Sequence, residues 1–255
     1  MQLPFPWASA PASMVAPPAI RVSGASLHYH GHAVFEDLHA EFAAGSWTCV
    51  LGPSGTGKSS LLRVIAGLAA DASGTVTTAD GAPIRGLVGF MDQRDLLLPW
   101  LNAIDNVLIG ARLRGEHPDE ERAAAVLAAV GLGAAITLRP AELSGGMRQR
   151  VALARTLMED RPVVLMDEPF TAVDALTRIR LQELARTMLA GRTVIMVTHD
   201  PWEALRIADC TQVMTGTPAR LLAPVVVPGL SPRDITKPKI VALYRDLLAA
   251  MDGAP

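Results

Sequence analysis

The chain has 255 residues, half of them hydrophobic, which is enough for one large domain or two intimate subdomains around a substantial core. Its 23 basic and 25 acidic side chains leave a formal charge of -2, no electrostatic footprint for nucleic acid, so DNA and RNA are not expected partners. The two cysteines, Cys49 and Cys210, have no metal-like spacing and point to a reduced setting without disulfides, with Cys49 as apolar filler.

Met1 to Ile20 carries no charge and five prolines. It lacks the basic start and compact apolar core of a signal peptide, and residues 1–20 read as a flexible tail. Nowhere does the chain approach the roughly 18 apolar residues that span a bilayer, so a membrane role would run through a partner. From Arg21 to about Leu51, apolar positions (Leu38, Ala40, Phe42) alternate with polar ones (Asp37, His39, Glu41), as in strands with one buried face. His28, His30 and His32 share a strand face there; without an acidic or cysteine partner nearby in sequence they read as a solvated strand end rather than a metal site. Trp47–Leu51 is a short buried strand.

Gly52, Pro53, Ser54, Gly55, Thr56, Gly57, Lys58 and Ser59, followed by Ser60, form a phosphate-binding loop between that strand and an apolar helix from about Lys58 to Gly67. Glycines let backbone N–H groups turn inward, and the helix start adds its positive end. Lys58 is placed to neutralise β and γ phosphates, and Ser59 offers magnesium a hydroxyl oxygen.

Residues from about Thr75 to Met91 are strand-rich, with Asp80-Gly81 as a turn. The pattern is helical from about 101 to 159: Asn102 caps Ala103 to Leu113, and Pro118-Asp119 opens an alanine-rich helix ending near Gly131. Ser144, Gly145 and Gly146 then start a helix containing Arg148, Arg150 and Arg155. Ser144 is an N-cap by its position, and the same geometry makes a second phosphate cradle.

Strand Val163–Asp167, a helix near Asp174–Leu189 and strand Thr193–Thr198 make a parallel-sheet crossover. Asp167 and Glu168 end a strand of apolar residues, and two adjacent carboxylates emerging there are costly unless they meet a cation or water. Asp167 suits a magnesium contact, and Glu168 suits orienting or deprotonating an attacking water. Residues 221–255 form a short extension, with prolines around Ala223–Val227 and a helix near Lys239–Met251.

Residues 21–220 together resemble the ATP-binding cassette superfamily. The resemblance implies an α/β P-loop NTPase fold: a RecA-like core, an antiparallel β subdomain and an inserted α-helical subdomain. It implies an ATPase using ATP and Mg2+, with Glu168, His199 and Lys58 as catalytic residues. Ser144, Gly145 and Gly146 would face the phosphate loop of a second copy in a homodimer. Tyr29 stands where the family stacks an aromatic ring on adenine, and Gln93 where a glutamine senses magnesium and links to a membrane partner. Asp174 matches the loop that crosses the dimer interface, and His199 the switch histidine at the γ-phosphate. Met147 and Val173 replace the family's usual glutamine and leucine, and neither change removes a catalytic group.

The segment Gln93-Arg94-Asp95-Leu96-Leu97-Leu98-Pro99-Trp100 is similar to the nitrate/sulfonate/taurine importer branch. With Gly110–Gly115 and the ending Gly216-Thr217-Pro218-Ala219-Arg220 it resembles ATPases for pyrimidine precursors of thiamine. The resemblance implies a motor subunit at the cytoplasmic face of the membrane, held by an integral-membrane permease near Gln93–Trp100 and served indirectly by a solute-binding protein. The other reading of Leu96–Trp100 is ordinary packing under the helical subdomain. Two other classes are a soluble cassette ATPase acting on DNA or ribosomes, which the unbroken single cassette and acidic balance oppose, and an exporter motor, which the Leu-Leu-Pro-Trp segment opposes.

Overall fold

The computed structural model describes residues 16–253, so most of the expected tail lies outside the described residues. In chain order the elements are β1 (Ile20–Tyr29), β2 (His32–Phe42), β3 (Trp47–Leu51), α1 (Lys58–Ile65), β4 (Ser73–Thr78) and β5 (Val88–Met91). Helices α2 (Ala103–Leu113), α3 (Glu120–Ala129) and α4 (Gly145–Met158) follow, then β6 (Val163–Asp167), α5 (Ala175–Met188) and β7 (Thr193–Thr198). The chain ends with α6 (Pro201–Ile207), β8 (Cys210–Thr215), β9 (Arg220–Leu221), β10 (Val225–Val226) and α7 (Pro238–Met251).

Two compact units divide these elements: one holds Met91–Arg161 and Pro169–Ala190, the other Pro17–Phe90, Pro162–Glu168 and the chain from Gly191 onward. In the second unit, β2, β1 and β4 form an antiparallel sheet. Ile20, the last residue of the expected tail, belongs to this sheet, because it is fully buried and pairs with both Phe42 and Thr78. A larger sheet runs in the order β10-β8-β3-β7-β6-β5, with β9 beside β8. Its centre is parallel, β3 on β8 and β7, and β6 on β7. Strands β3, β6 and β7 are buried along their whole length, which is why their sequences are continuous apolar runs without alternation. Phe35, Phe42, Leu61, Leu62, Ile65, Val50 and Leu165 are part of one apolar cluster in this unit.

The register decides where chemistry can collect. Leu51 pairs with Thr198 and Asp167 with Val197, so β3, β6 and β7 finish side by side. Open parallel sheets bind ligands at those carboxyl ends. The phosphate loop, Glu168 and His199 each follow directly from one of them.

The first unit is helical and takes in α2, α3, α4 and α5. Arg155 donates to the Asp95 and Leu96 carbonyls at 2.8 and 3.0 Å, which ties in the segment after Met91. Asn106, wholly buried, accepts from Leu98 N at 2.7 Å and donates to the Leu101 carbonyl at 3.2 Å. Local caps set the helix starts: Asn102 accepts from Asp105 N, Asp119 from Arg122 N and Ser144 from Met147 N. Among the described residues no helix is long and apolar enough to cross a membrane.

Candidate active site

The second unit contributes the phosphate loop and the strand-end residues. Gly57 sits at φ +93°, a backbone conformation that a side chain disfavours, and it turns the loop into α1. Lys58 opens that helix and folds back, its Nζ donating to the carbonyls of Gly52 and Pro53 at 2.8 Å each. Burial pushes the Lys58 ammonium below the usual lysine value, while the Glu168 and Asp167 carboxylates oppose that shift. A desolvated cation held inside a glycine-rich loop will gain from an incoming polyanion.

Ser59 Oγ donates to Asp167 Oδ1 at 3.0 Å, so the two expected magnesium ligands are neighbours. Both present oxygen, the donor type that a hard divalent cation takes, and Asp167 is fully buried at the end of β6. The donor set therefore fits magnesium.

Glu168 is a non-glycine residue at φ +47°, and its backbone N–H donates to the Val197 carbonyl at 3.0 Å. Left-handed geometry at such a residue is costly and tends to occur where a site needs a particular orientation. Here Glu168 Oε1 lies 3.1 Å from His199 Nδ1. The Glu168 side chain is 14% exposed and that of His199 50%, so the pair has one face toward solvent. Tyr29 is 45% exposed at the end of β1, next to a left-handed turn at His30 and Gly31. His28 lies 3.1 Å from Glu36, and the described residues include no group of three or more metal-ligating side chains.

The first unit contributes Ser144–Gly146, Asp174 and Gln93. Ser144 and Gly145 are exposed, and Ser144 Oγ caps α4 by accepting from Met147 N at 3.2 Å. Gly146 is required by packing: a Cβ there would stand 2.7 Å from the Ala172 carbonyl oxygen. Gln149 completes the join, its Oε1 accepting from Ala172 N at 2.7 Å and its Nε2 lying 3.4 Å from Thr171 Oγ1. The Ser144 helix start and the Thr171–Asp174 loop thus form one surface. Asp174, exposed, caps α5 by accepting from Thr177 N at 3.0 Å, and hydrogen bonds from Thr177 hold its carboxyl below the usual range.

Gln93 is exposed, as are Leu96 at 49% and Trp100 at 66%, whereas Leu97 is buried. Trp100 therefore does not pack under its own helices. Arg148 Nε donates to Asp95 Oδ2 at 2.9 Å, so α4 grips this segment through both Arg148 and Arg155. Sequence reasoning missed Gln149 and Asp95. Gln149 sits on a helix face among apolar residues with no motif to mark it, and Asp95 pairs with an arginine 53 residues away.

Comparison with known proteins gives the context. A family model described as ABC transporter matches residues 35–171. An uncharacterized ABC transporter ATP-binding protein of Haemophilus influenzae is 37% identical over 239 residues, covering 92% of this chain and 99% of that protein. The aliphatic sulfonates import ATP-binding protein SsuB 2 of Burkholderia cenocepacia is 40% identical over 246 residues, covering 94% and 90%. The SsuB 1 protein of Rhodococcus jostii is 40% identical over 238 residues, covering 91% and 94%. Among solved structures, a dimeric post-hydrolysis ATP-binding cassette bound to ADP and Pi has a TM-score of 0.72 at 25% identity, over 83% of this chain and 100% of that one. With a family match over residues 35–171 and relatives of this identity along nearly its whole length, the chain belongs to the ATP-binding cassette transporter family and is an ATPase.

Proposed function

We propose that the chain is the ATP-hydrolysing motor of an importer and works as a homodimer, with two ATP molecules held between the phosphate loop of one copy and Ser144–Gly146 of the other. The observation that carries this reading is the single exposed surface made by Ser144, Gly145 and Asp174, locked together by the Gly146 and Gln149 contacts to Ala172. A capped helix start open to solvent is an anion cradle without an anion-binding partner of its own. The dimeric cassette with ADP and Pi has the same fold and supports a two-copy arrangement.

Each side chain then has a role. Gly52–Ser60, except Pro53, cradle the phosphates with backbone N–H groups, Lys58 neutralises β and γ charge, and Tyr29 stacks on adenine. Ser59 and Asp167 would hold Mg2+, which when bound supplies charge neutralisation at the phosphates. Glu168 orients a water and accepts its proton as the water oxygen attacks the γ-phosphorus and the bond to the β-phosphate oxygen breaks. His199, fixed by Glu168, donates to the γ-phosphate oxygens. Asp174 crosses to the second copy.

The exposed Leu96 and Trp100 beside Gln93 offer an apolar and aromatic docking face for a permease helix, and in this reading the subunit sits against the cytoplasmic face of the membrane. A solute-binding protein would reach it only through that permease. For the cargo, the names of the relatives favour an aliphatic sulfonate or a similar small organic anion, and the pyrimidine reading rests on the 93–100, 110–115 and 216–220 segments. The test is co-purification with the permease: Trp100→Ala should retain ATP binding while losing permease association and permease-stimulated turnover. Unchanged association would overturn the docking assignment. Salt-dependent DNA binding with DNA-stimulated turnover would favour the soluble class instead.

A further inference from the structure

Helix α6 begins two residues after His199 and is only seven residues long. A helix so short has little stability of its own, and its last carbonyls lack partners within the helix. In this chain the partners come from the C-terminal extension. Arg233 is 94% buried, and its guanidinium donates to the Ala208 carbonyl at 2.6 Å, to that of Val227 at 2.9 Å and to those of Pro228 and Gly229 at 2.9 and 3.0 Å. Its backbone N–H donates to the Arg206 carbonyl at 2.8 Å. Ser231 Oγ donates to the Ile207 carbonyl at 3.0 Å. A cation fixed at a helix C-terminus also complements the helix dipole.

The other end of α6 is held as well. Trp202, three residues after His199, stacks on Tyr244 of α7 with ring centroids 3.9 Å apart and planes 11° from parallel. Asp200 caps the same turn by accepting from Trp202 N at 2.9 Å, and its own N–H donates to Thr198 Oγ1 at 3.1 Å. His199 thus sits between a buried strand and a helix whose two ends are both fastened by residues 227–251. Its ring is half exposed and lies 3.1 Å from Glu168 Oε1 through Nδ1.

From this we infer that the C-terminal extension is a positioning element for His199: Arg233 and Ser231 cap the far end of α6, Tyr244 holds its first turn, and together they fix the angle at which the imidazole meets the γ-phosphate. This rests on the role given to His199 above. Tyr244 and Arg233 touch neither nucleotide nor water; they act through the helix. Deleting the Tyr244 ring leaves the phosphate loop and Ser144 surface untouched, so its effect falls on turnover and not on nucleotide affinity.

The experiment is a double-mutant cycle in the full chain, read as steady-state hydrolysis of ATP·Mg2+. Tyr244→Ala lowers kcat by about tenfold with KM for ATP within about twofold, as expected for a misplaced group rather than a lost binding contact. Tyr244→Phe, which keeps the stack, restores turnover. Arg233→Lys keeps the charge, loses the fork and repeats the Tyr244→Ala pattern. In a His199→Ala background neither substitution lowers the residual rate further. Histidine-labelled NMR gives a readout free of activity: the His199 ring resonances move in Tyr244→Ala and return in Tyr244→Phe. Equal losses with and without His199, or unmoved resonances, would overturn the proposal alone. Wild-type turnover by His199→Ala itself would overturn the role of His199 and this proposal with it.

Discussion

Glu168 Oε1 and His199 Nδ1 stand 3.1 Å apart at the ends of two adjacent parallel strands, with Glu168 turned into left-handed backbone to reach that position. The carboxylate is mostly buried and the imidazole half exposed. Glu168→Gln keeps the size and one acceptor oxygen but cannot take a proton. Turnover should fall by about 10²–10⁴-fold while ATP affinity stays, and a closed dimer should accumulate with ATP on size exclusion. Near-normal turnover would remove Glu168 from the role of base.

Lys58 is predicted to lower the stability of the nucleotide-free protein. Burial pushes its folded pKa below the usual value of about 10.4, so in the window between the two the unfolded chain binds more protons. Stability therefore rises with pH through that window, and below it the full cost of burying the cation is present. Lys58→Met should raise the apo melting temperature near neutral pH, with an advantage that shrinks toward about pH 10. ATP·Mg2+ should stabilise the wild type and not the variant. A Lys58→Met protein that melts below wild type at neutral pH would contradict this.

Gly146→Ala introduces a Cβ 2.7 Å from the Ala172 carbonyl, so either α4 or the Asp174 loop must move. Turnover should drop by about a hundredfold, with ATP binding to the single chain within about threefold, because the phosphate loop is untouched. Equilibrium nucleotide titration beside steady-state ATPase rates checks the split. An equal loss in both would place Gly146 in the general fold rather than on the dimer surface.

Much of the fold was legible because local and tertiary signals agree. Strands Trp47–Leu51, Val163–Asp167 and Thr193–Thr198 fall where continuous apolar runs placed them, and Asn102, Asp119, Ser144 and Asp174 cap the helices they precede. Helix α6 and strands β8 to β10 were not legible: α6 is a short helix fastened by Arg233 and Tyr244 from elsewhere, and β9 and β10 span two residues each, held by pairing to β8. In the site, the residue types were legible and the joins were not. Gln149 to Ala172, and Arg148 to Asp95, are pairings between distant segments that no spacing encodes. Glycine at position 146 reads in sequence as part of a helix start, and only the fold adds that a carbonyl presses against it.

The central claim, that each copy carries two half-sites completed by another copy, is tested most directly by complementation between two inactive variants. Lys58→Ala disables the phosphate loop, and Ser144→Arg fills the exposed helix start. Each homodimer should be nearly inactive in steady-state ATPase assays. Mixed, they form heterodimers in which one site pairs an intact loop with an intact Ser144 surface, and turnover should return to about half of the wild-type rate per such dimer, on the premise that one intact composite site suffices for chemistry. If both motifs served one chain, no mixture would recover, and an inactive mixture of demonstrated heterodimers would contradict the account.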